Sequence, residues 1–74
     1  MDKKTKARDI VLHTPTLAGA YAWNGRQVHI WRFPNPRPLC RRQLLVRRSR
    51  PFSWRDDSFC QTCIDNVLAL EVLE

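Results

Sequence analysis

The sequence predicts a small α+β domain in which an antiparallel β-hairpin or meander precedes a C-terminal helix. Three observations predict it: an Asn-Gly pair between two apolar, aromatic runs, a proline-rich segment after the second run, and a Cys-x-x-Cys pair that opens the last apolar stretch. A chain of 74 residues makes one domain at most and buries a smaller share of its surface than a longer chain. We therefore expect a metal ion or a partner to supplement the core.

The N-terminal residues 1–9 are expected to form a flexible basic arm, and residues 10–74 a single metal-binding domain. Residues 1–8 carry four basic side chains and almost nothing apolar. The short apolar run from Ile10 to Leu12 fits either a short strand or a docked segment. The Thr14-Pro15-Thr16 sequence then predicts a turn or a helix start.

The next segment is typical of a β-hairpin. Runs over residues 20–23 and 26–31 flank Asn24-Gly25, a pair that tolerates the positive φ angles of a type I′ turn. Three prolines between Pro34 and Pro38 end the second strand and turn the chain. Residues 39–46 are predicted to return as a third antiparallel strand, although their apolar pattern also permits a helical turn.

A C-terminal helix is predicted from about Phe59 or Cys60. The two aspartates and the serine at residues 56–58 supply N-cap chemistry and favourable charge for the helix dipole. The i, i+3, i+4 spacing of one buried face is met by Ile64, Val67 and Leu68.

The cysteines favour a metal site. The two-residue gap between Cys60 and Cys63 lets both thiolates reach one ion, and a helix start places backbone N–H donors near the sulfurs. The alternatives are two small buried side chains or a redox pair, which usually belongs to a larger α/β unit. Three is an odd number, so disulfides would leave one thiol over, whereas metal ligation accounts for all three cysteines.

The other two ligands are predicted from symmetry. The midpoint between His29 and Cys40 falls between Pro34 and Asn35, so the two side chains face each other if the proline segment is a hairpin turn, with Cβ atoms about 5 Å apart. A Cys₃His set is a closed zinc site without a position for a catalytic water. His13, which has no cysteine across a hairpin, is the alternative fourth ligand. The predicted Zn²⁺ ligands are His29, Cys40, Cys60 and Cys63.

The pattern His-x10-Cys-x19-Cys-x2-Cys resembles the small zinc-finger proteins of bacteriophages and high-GC bacteria. The resemblance covers residues 28–70. It implies a treble-clef or zinc-ribbon-like fold, in which a hairpin carries the His and one Cys, and a location in a bacterium or a phage-infected bacterial host. The sequence differs from the usual pattern in lacking a glycine after Cys40, where Arg41 and Arg42 stand.

The net charge of +6 comes mainly from arginine and points to an acidic partner. Guanidinium groups bind phosphates in bidentate fashion, so a nucleic acid fits, as does an acidic protein surface. A solvated face without a specific ligand, and arginine bias from a GC-rich genome, are the alternatives. The candidate binding residues are Arg37, Arg41, Arg42, Arg47, Arg48, Arg50 and Arg55.

Two further features bear on partners. Trp31-Arg32 and Trp54-Arg55 can stack bases or form intramolecular cation–π pairs, and we expect the three tryptophans, Trp23 included, to be core or cover for the zinc site. The C-terminal helix extends its apolar character through Leu70, Val72 and Leu73, with Glu71 near the centre of the stripe. That end either frays or binds a second copy or a host protein.

The function predicted is that of a zinc-stabilised, basic nucleic-acid-binding regulator. The alternative is a small phage-type protein that binds and modulates a host transcription or defence complex through its arginines and C-terminal helix. We expect no enzyme and no small-molecule substrate, because the sequence has no Gly-rich phosphate loop and no nucleophile with a convincing base. The polar N-terminus and the lack of a membrane-length apolar run predict a cytoplasmic protein.

Overall fold

A computed structural model describes residues 2–73 of the chain, with side chains as far as residue 70. The elements are helix α1 (Lys3–Leu12), strands β1 (Leu17–Ala22), β2 (Val28–Arg32) and β3 (Val46–Arg47), and helix α2 (Gln61–Leu73). The strands form one antiparallel sheet in the order β2-β1-β3. The predicted small α+β class, with a hairpin before a C-terminal helix, is confirmed.

The N-terminal segment is a helix, so the prediction of a flexible arm over residues 1–9 is wrong. Asp2 caps α1 by accepting a hydrogen bond of 2.7 Å from the Thr5 backbone N–H, which lowers the pKa of the Asp2 carboxyl. Ala7 and Val11, one turn apart, are buried against α2. Two buried positions give too weak a periodicity for the sequence to reveal the helix.

For the residues that follow the predicted arm, the sequence predicted a short strand or docked segment and then a turn or helix start. The run from Ile10 to Leu12 is the last turn of α1 and not a strand. The predicted turn is present, since the Leu17 N–H donates to the Thr14 carbonyl at 3.0 Å. The domain therefore includes residues 3–9 as part of its packed structure.

The hairpin has the predicted register but a wider connection. Strands β1 and β2 pair about the midpoint of Asn24-Gly25, and the last paired residues are Tyr21 and Val28. Neither glycine of the chain has a positive φ, so the predicted type I′ turn does not form. The Phe33 N–H donates to the Thr16 carbonyl, so hydrogen-bonded pairs fall at every second residue and the Trp23 N–H points away from β2, where it donates to the Leu45 carbonyl at 3.1 Å.

Residues 39–46 do not form the predicted third strand beside β2. Trp31 bridges Pro38, and the chain then turns away because Arg41 adopts a positive φ of 65°. Only Val46 of this segment reaches a strand, and β3 pairs with Ala22 and Tyr21 of β1 on the opposite side of the sheet.

Helix α2 carries the predicted buried face but lacks the predicted cap. Ile64 and Val67 are buried, and Leu68 packs against the same cluster. The helix begins after Cys60, while the Asp57 carboxylate accepts from the Ser53 N–H at 2.7 Å and so closes a separate turn. Predictions that involve Glu71, Val72 and Leu73 fall outside the side chains that the structure describes.

The core lies mainly between the two helices and one face of the sheet. A second, smaller cluster lies on the other face, where Trp31 is fully buried beside Ala20 and Ala22. Trp54 is partly buried against the main cluster, whereas Trp23 is 54% exposed, so the prediction of a core position is wrong for Trp23. Among the described helices, none is long and apolar enough to cross a membrane.

Candidate metal centre

The outer edge of β2 brings two cysteines alongside His29. From one end, the Leu39 N–H donates to the Ile30 carbonyl at 2.8 Å, which places Cys40 opposite His29. From the other end, the Cys60 N–H donates to the Val28 carbonyl at 2.9 Å. The first pairing has the midpoint between Pro34 and Asn35 that the sequence predicted. Backbone hydrogen bonds on both sides of His29 therefore position two of its neighbours.

Helix α2 supplies the last cysteine. The Ile64 N–H donates to the Cys60 carbonyl at 3.1 Å, so Cys60 stands at the helix start and Cys63 on the first turn. A gap of two residues at a helix start turns both sulfurs toward the same point. Cys63 thereby reaches β2, and the strand and the helix meet at this cluster.

The four predicted ligand residues come together. One ligand atom from each of His29, Cys40, Cys60 and Cys63 lies within 4.8 Å of the other three. The Nδ1 atom of His29 is 3.5 Å from the Cys40 Sγ and 3.6 Å from the Cys63 Sγ. Tetrahedral zinc, with bonds of about 2.3 Å to sulfur and 2.05 Å to nitrogen, would set N···S distances of about 3.6 Å. The donor set and its spacing therefore fit zinc.

The alternative ligand His13 lies elsewhere. It is exposed at the end of α1, where its Nδ1 atom is 2.7 Å from the Asp9 carbonyl oxygen. His29, in contrast, is buried, as are Cys60 and Cys63, while Cys40 is partly exposed. Of the two histidines in the chain, the structure places His29 at the cluster.

The cluster's surroundings suit a cation. Burial lowers the pKa of His29, and the charge of Arg42 lowers it further, which keeps the imidazole neutral and able to coordinate. Burial raises the pKa of the Cys63 thiol to about 12, while the nearby backbone N–H groups of Ile30 and Cys40 act to lower it. A bound divalent cation supplies the charge that would stabilise a thiolate there.

Two residues support the site, and one of them, Asn66, was not predicted. The Asn66 side-chain amide donates to the Leu39 carbonyl at 2.6 Å and ties the Cys40 loop to α2. Trp31, which we expected to lie in the core or to cover the zinc site, is fully buried and meets His29 edge to face, with ring centroids 6.4 Å apart. Asn66 lies one turn beyond Cys63, but no spacing pattern distinguishes it from an ordinary surface asparagine.

The seven candidate arginines do not gather at one place. They divide among separate depressions of the surface: Arg37 and Arg41 lie beside α2, Arg48 and Arg50 beside β1, and Arg55 beside α1. Arg42 is close enough to His29 to affect its pKa.

Intramolecular cation–π pairs do form, with partners other than those predicted. The distances from the guanidinium carbon to the ring centroid are 4.7 Å for Arg47 on Trp23, 4.3 Å for Arg48 on Phe33, and 3.9 Å for Arg50 on Tyr21. Within the described chain, Trp54 stacks instead on Phe59, with centroids 4.6 Å apart.

Comparisons with family models, with curated proteins and with solved structures find no match to this chain. Its class therefore follows from its own fold and site. The chain is a small α+β domain with a three-stranded antiparallel sheet, two helices and a His/Cys cluster compatible with stabilisation by zinc.

Proposed function

We propose that this protein is a zinc-stabilised nucleic-acid-binding module with a regulatory role. The observation that carries the proposal is that the candidate arginines, spread over several surface depressions, form no ion pair with a described carboxylate. Among the side chains that the structure describes, the ion pairs are Lys3 with Asp65 and Arg8 with Asp9, both at 3.6 Å. None of the seven candidate arginines is thus paired with a described carboxylate.

Zinc in this proposal has a structural role. Three cysteines and a histidine fill all four positions of a tetrahedral ion, so no position remains for substrate or a reactive water. When bound, the ion would crosslink β2, the loop around Cys40 and the start of α2. Cys60 and Cys63 hold the helix side of that crosslink, and His29 the strand side.

The arginines supply the affinity for nucleic acid. Guanidinium groups donate two hydrogen bonds to one phosphate, and each neutralised phosphate releases counterions. Arg47, Arg48 and Arg50 rest on aromatic rings, so part of the entropy of ordering them is already lost before binding. Binding of this kind is largely independent of base sequence, and regulation would come from occupying the nucleic acid.

Metal analysis and a salt titration test the proposal. The purified protein should contain one zinc ion per chain, and its affinity for an arbitrary labelled DNA should fall steeply with salt, as measured by fluorescence anisotropy. Chelation of the metal should abolish binding together with the folded structure. A folded, metal-free protein would overturn the zinc assignment, and no binding of any nucleic acid at low salt would overturn the nucleic-acid assignment.

A second candidate, binding to an acidic protein surface, is favoured by one observation. Trp23 and Leu45 are 54% and 76% exposed and are joined through their backbones, beside Arg47. Exposed Trp and Arg are the residue types most enriched at protein-binding hot spots. A pull-down from nuclease-treated host lysate should then recover one stoichiometric partner that is lost with Trp23→Ser. An empty pull-down would count against this candidate.

A further inference from the structure

Strand β1 has an open backbone edge. Strand β3 pairs only with Tyr21 and Ala22 and then leaves the sheet. The Phe33 N–H donates to the Thr16 carbonyl, so these two residues form a hydrogen-bonded pair between β1 and β2. Such pairs alternate along an antiparallel ladder, and Gly19, three residues after Thr16, belongs to a non-hydrogen-bonded pair. Its peptide groups therefore point away from β2. The Gly19 N–H and C=O therefore face the side of the sheet that β3 has left.

A cleft of about 550 Å³ lies at this open edge. Its floor is the small-residue stretch Ala18–Ala20, its walls include the Phe33 and Phe52 rings, and its rim carries Arg48 and Arg50. Phe52 lies so close that a Cβ atom on Gly19 would stand only 2.7 Å from the ring. Glycine thus lets the aromatic wall approach the backbone edge, and the cleft combines apolar walls, peptide groups and two positive charges.

Both arginines at the rim are braced and available. Arg48 rests on Phe33 and Arg50 on Tyr21, at 4.3 and 3.9 Å from the ring centroids, while both side chains remain exposed. Burial raises the pKa of the Tyr21 hydroxyl, and the nearby Asp57 carboxylate raises it further; Asp57 forms no ion pair with either arginine. A guanidinium stacked on a ring keeps its N–H edge and its outer face free for phosphate or a base.

We propose that this cleft binds an unpaired nucleotide of a single-stranded nucleic acid, an inference that rests on the nucleic-acid-binding function proposed above. Arg48 and Arg50 bind the phosphates, the base lies against the aromatic wall, and the Gly19 peptide group hydrogen bonds to the base edge. The volume suits one nucleotide, and a base must be unstacked to enter such a cleft. Single strands offer such bases without the cost of opening a duplex.

Anisotropy with two probes tests the site: a labelled oligothymidylate of about 12 nucleotides and a duplex of the same length. The wild type should bind the single strand more tightly. The Arg48→Gln/Arg50→Gln variant should lose about 25-fold in affinity at ~0.1 M salt, because each phosphate contact on a single strand contributes a salt slope of about 0.7. The slope itself should fall by about 1.4.

A charge-matched control is Arg8→Gln/Arg26→Gln, which removes two exposed arginines away from the cleft. Its loss should stay within about threefold, as expected for distant charges that are largely screened. Equal losses in the two double variants, or a preference for the duplex, would overturn the cleft while leaving nucleic-acid binding intact. No binding of either probe would instead overturn the proposed function, and a lysate protein retained by the wild type but not by Arg48→Gln/Arg50→Gln would assign the cleft to a protein.

Discussion

The metal centre and the arginine segment, residues 41–55, are held in place by different kinds of contact. Cys60 and Cys63 belong to the main core, and His29 beside them is buried as well. In the arginine segment no residue is buried, and the regular structure is limited to the two residues of β3. Cation–π contacts and turn hydrogen bonds hold much of it, and Leu44, Val46 and Trp54 pack at the margins of the two core clusters. The comparison separates a packed scaffold from a surface that is free to bind.

The two regions are nevertheless connected through the ligands. Cys40 immediately precedes the arginine segment, and Cys60 follows it shortly after, with 19 residues between them. An ion that binds both cysteines closes this stretch into a loop and removes much of the conformational entropy of its ends. We therefore expect loss of metal to disorder the arginine segment as well as the scaffold.

The largest effect should follow from removal of a buried ligand. Cys63→Ser should abolish stoichiometric zinc and the cooperative thermal transition, because a structural zinc site contributes about 10–16 kcal/mol of apparent binding free energy. Metal analysis and circular dichroism measure both. His13→Ala is the matched control, since His13 is exposed and lies away from the cluster. If the Cys63→Ser variant has the same thermal transition as the wild type, the metal centre does not stabilise the packed scaffold, and the distinction between scaffold and binding surface fails.

A smaller effect should follow from loosening the contact between the Cys40 loop and α2. Asn66→Ala removes the 2.6 Å hydrogen bond to the Leu39 carbonyl and leaves a partly buried acceptor unpaired. We expect a loss of about 1 kcal/mol in the free energy of unfolding of the zinc form, measured by denaturant titration.

Gln61→Ala on the same helix is the control for Asn66→Ala. It removes an exposed side-chain contact of 3.1 Å with Asp65, so it should cost only about 0.3 kcal/mol. If both variants lose the same amount, Asn66 does not position the ligand loop. A selective loss with Asn66→Ala would extend the packed scaffold to the loop that carries Cys40.

The metal site could be predicted from the sequence because the spacings of its ligands along the chain are those that bring side chains together across a turn. Asn24-Gly25 marks the midpoint of the pairing between β1 and β2. His29 and Cys40 lie opposite each other in the second pairing, whose midpoint is in the proline segment. Spacing does not reveal tertiary contacts. The Trp23 N–H donates to Leu45 on the side of β1 away from β2, and Ala7 packs on α2 in a helix where the sequence suggested a polar arm.

The arginine segment was less predictable for the same reason. Its composition indicated cation–π pairs, but the partners that the structure selects, Tyr21, Trp23 and Phe33, are distant in sequence from their arginines. The adjacency of tryptophan and arginine in Trp31-Arg32 and Trp54-Arg55 did not indicate which aromatic ring each guanidinium group contacts. The pairing follows the path that the chain takes after Cys40, where Arg41 adopts a positive φ.

The smallest effect we predict concerns this turn at Arg41, where the scaffold ends and the arginine segment begins. Arg41 has a φ of 65°, a conformation that costs an ordinary residue about 1 kcal/mol and glycine almost nothing. Part of the gain from Arg41→Gly is offset by the entropy of glycine in the unfolded chain. The net effect should be a stabilisation of about 0.5 kcal/mol, measured by denaturant titration of the zinc form.

Arg42→Gly removes the same charge one residue further on, where φ is not positive, and should destabilise by about 0.5–1 kcal/mol. Opposite signs for these neighbouring substitutions would show that the backbone turn, and not the lost charge, sets the stability at this boundary. If both variants destabilise, the Arg41 side chain itself contributes to the fold, and the division between scaffold and binding surface must be moved beyond residue 41.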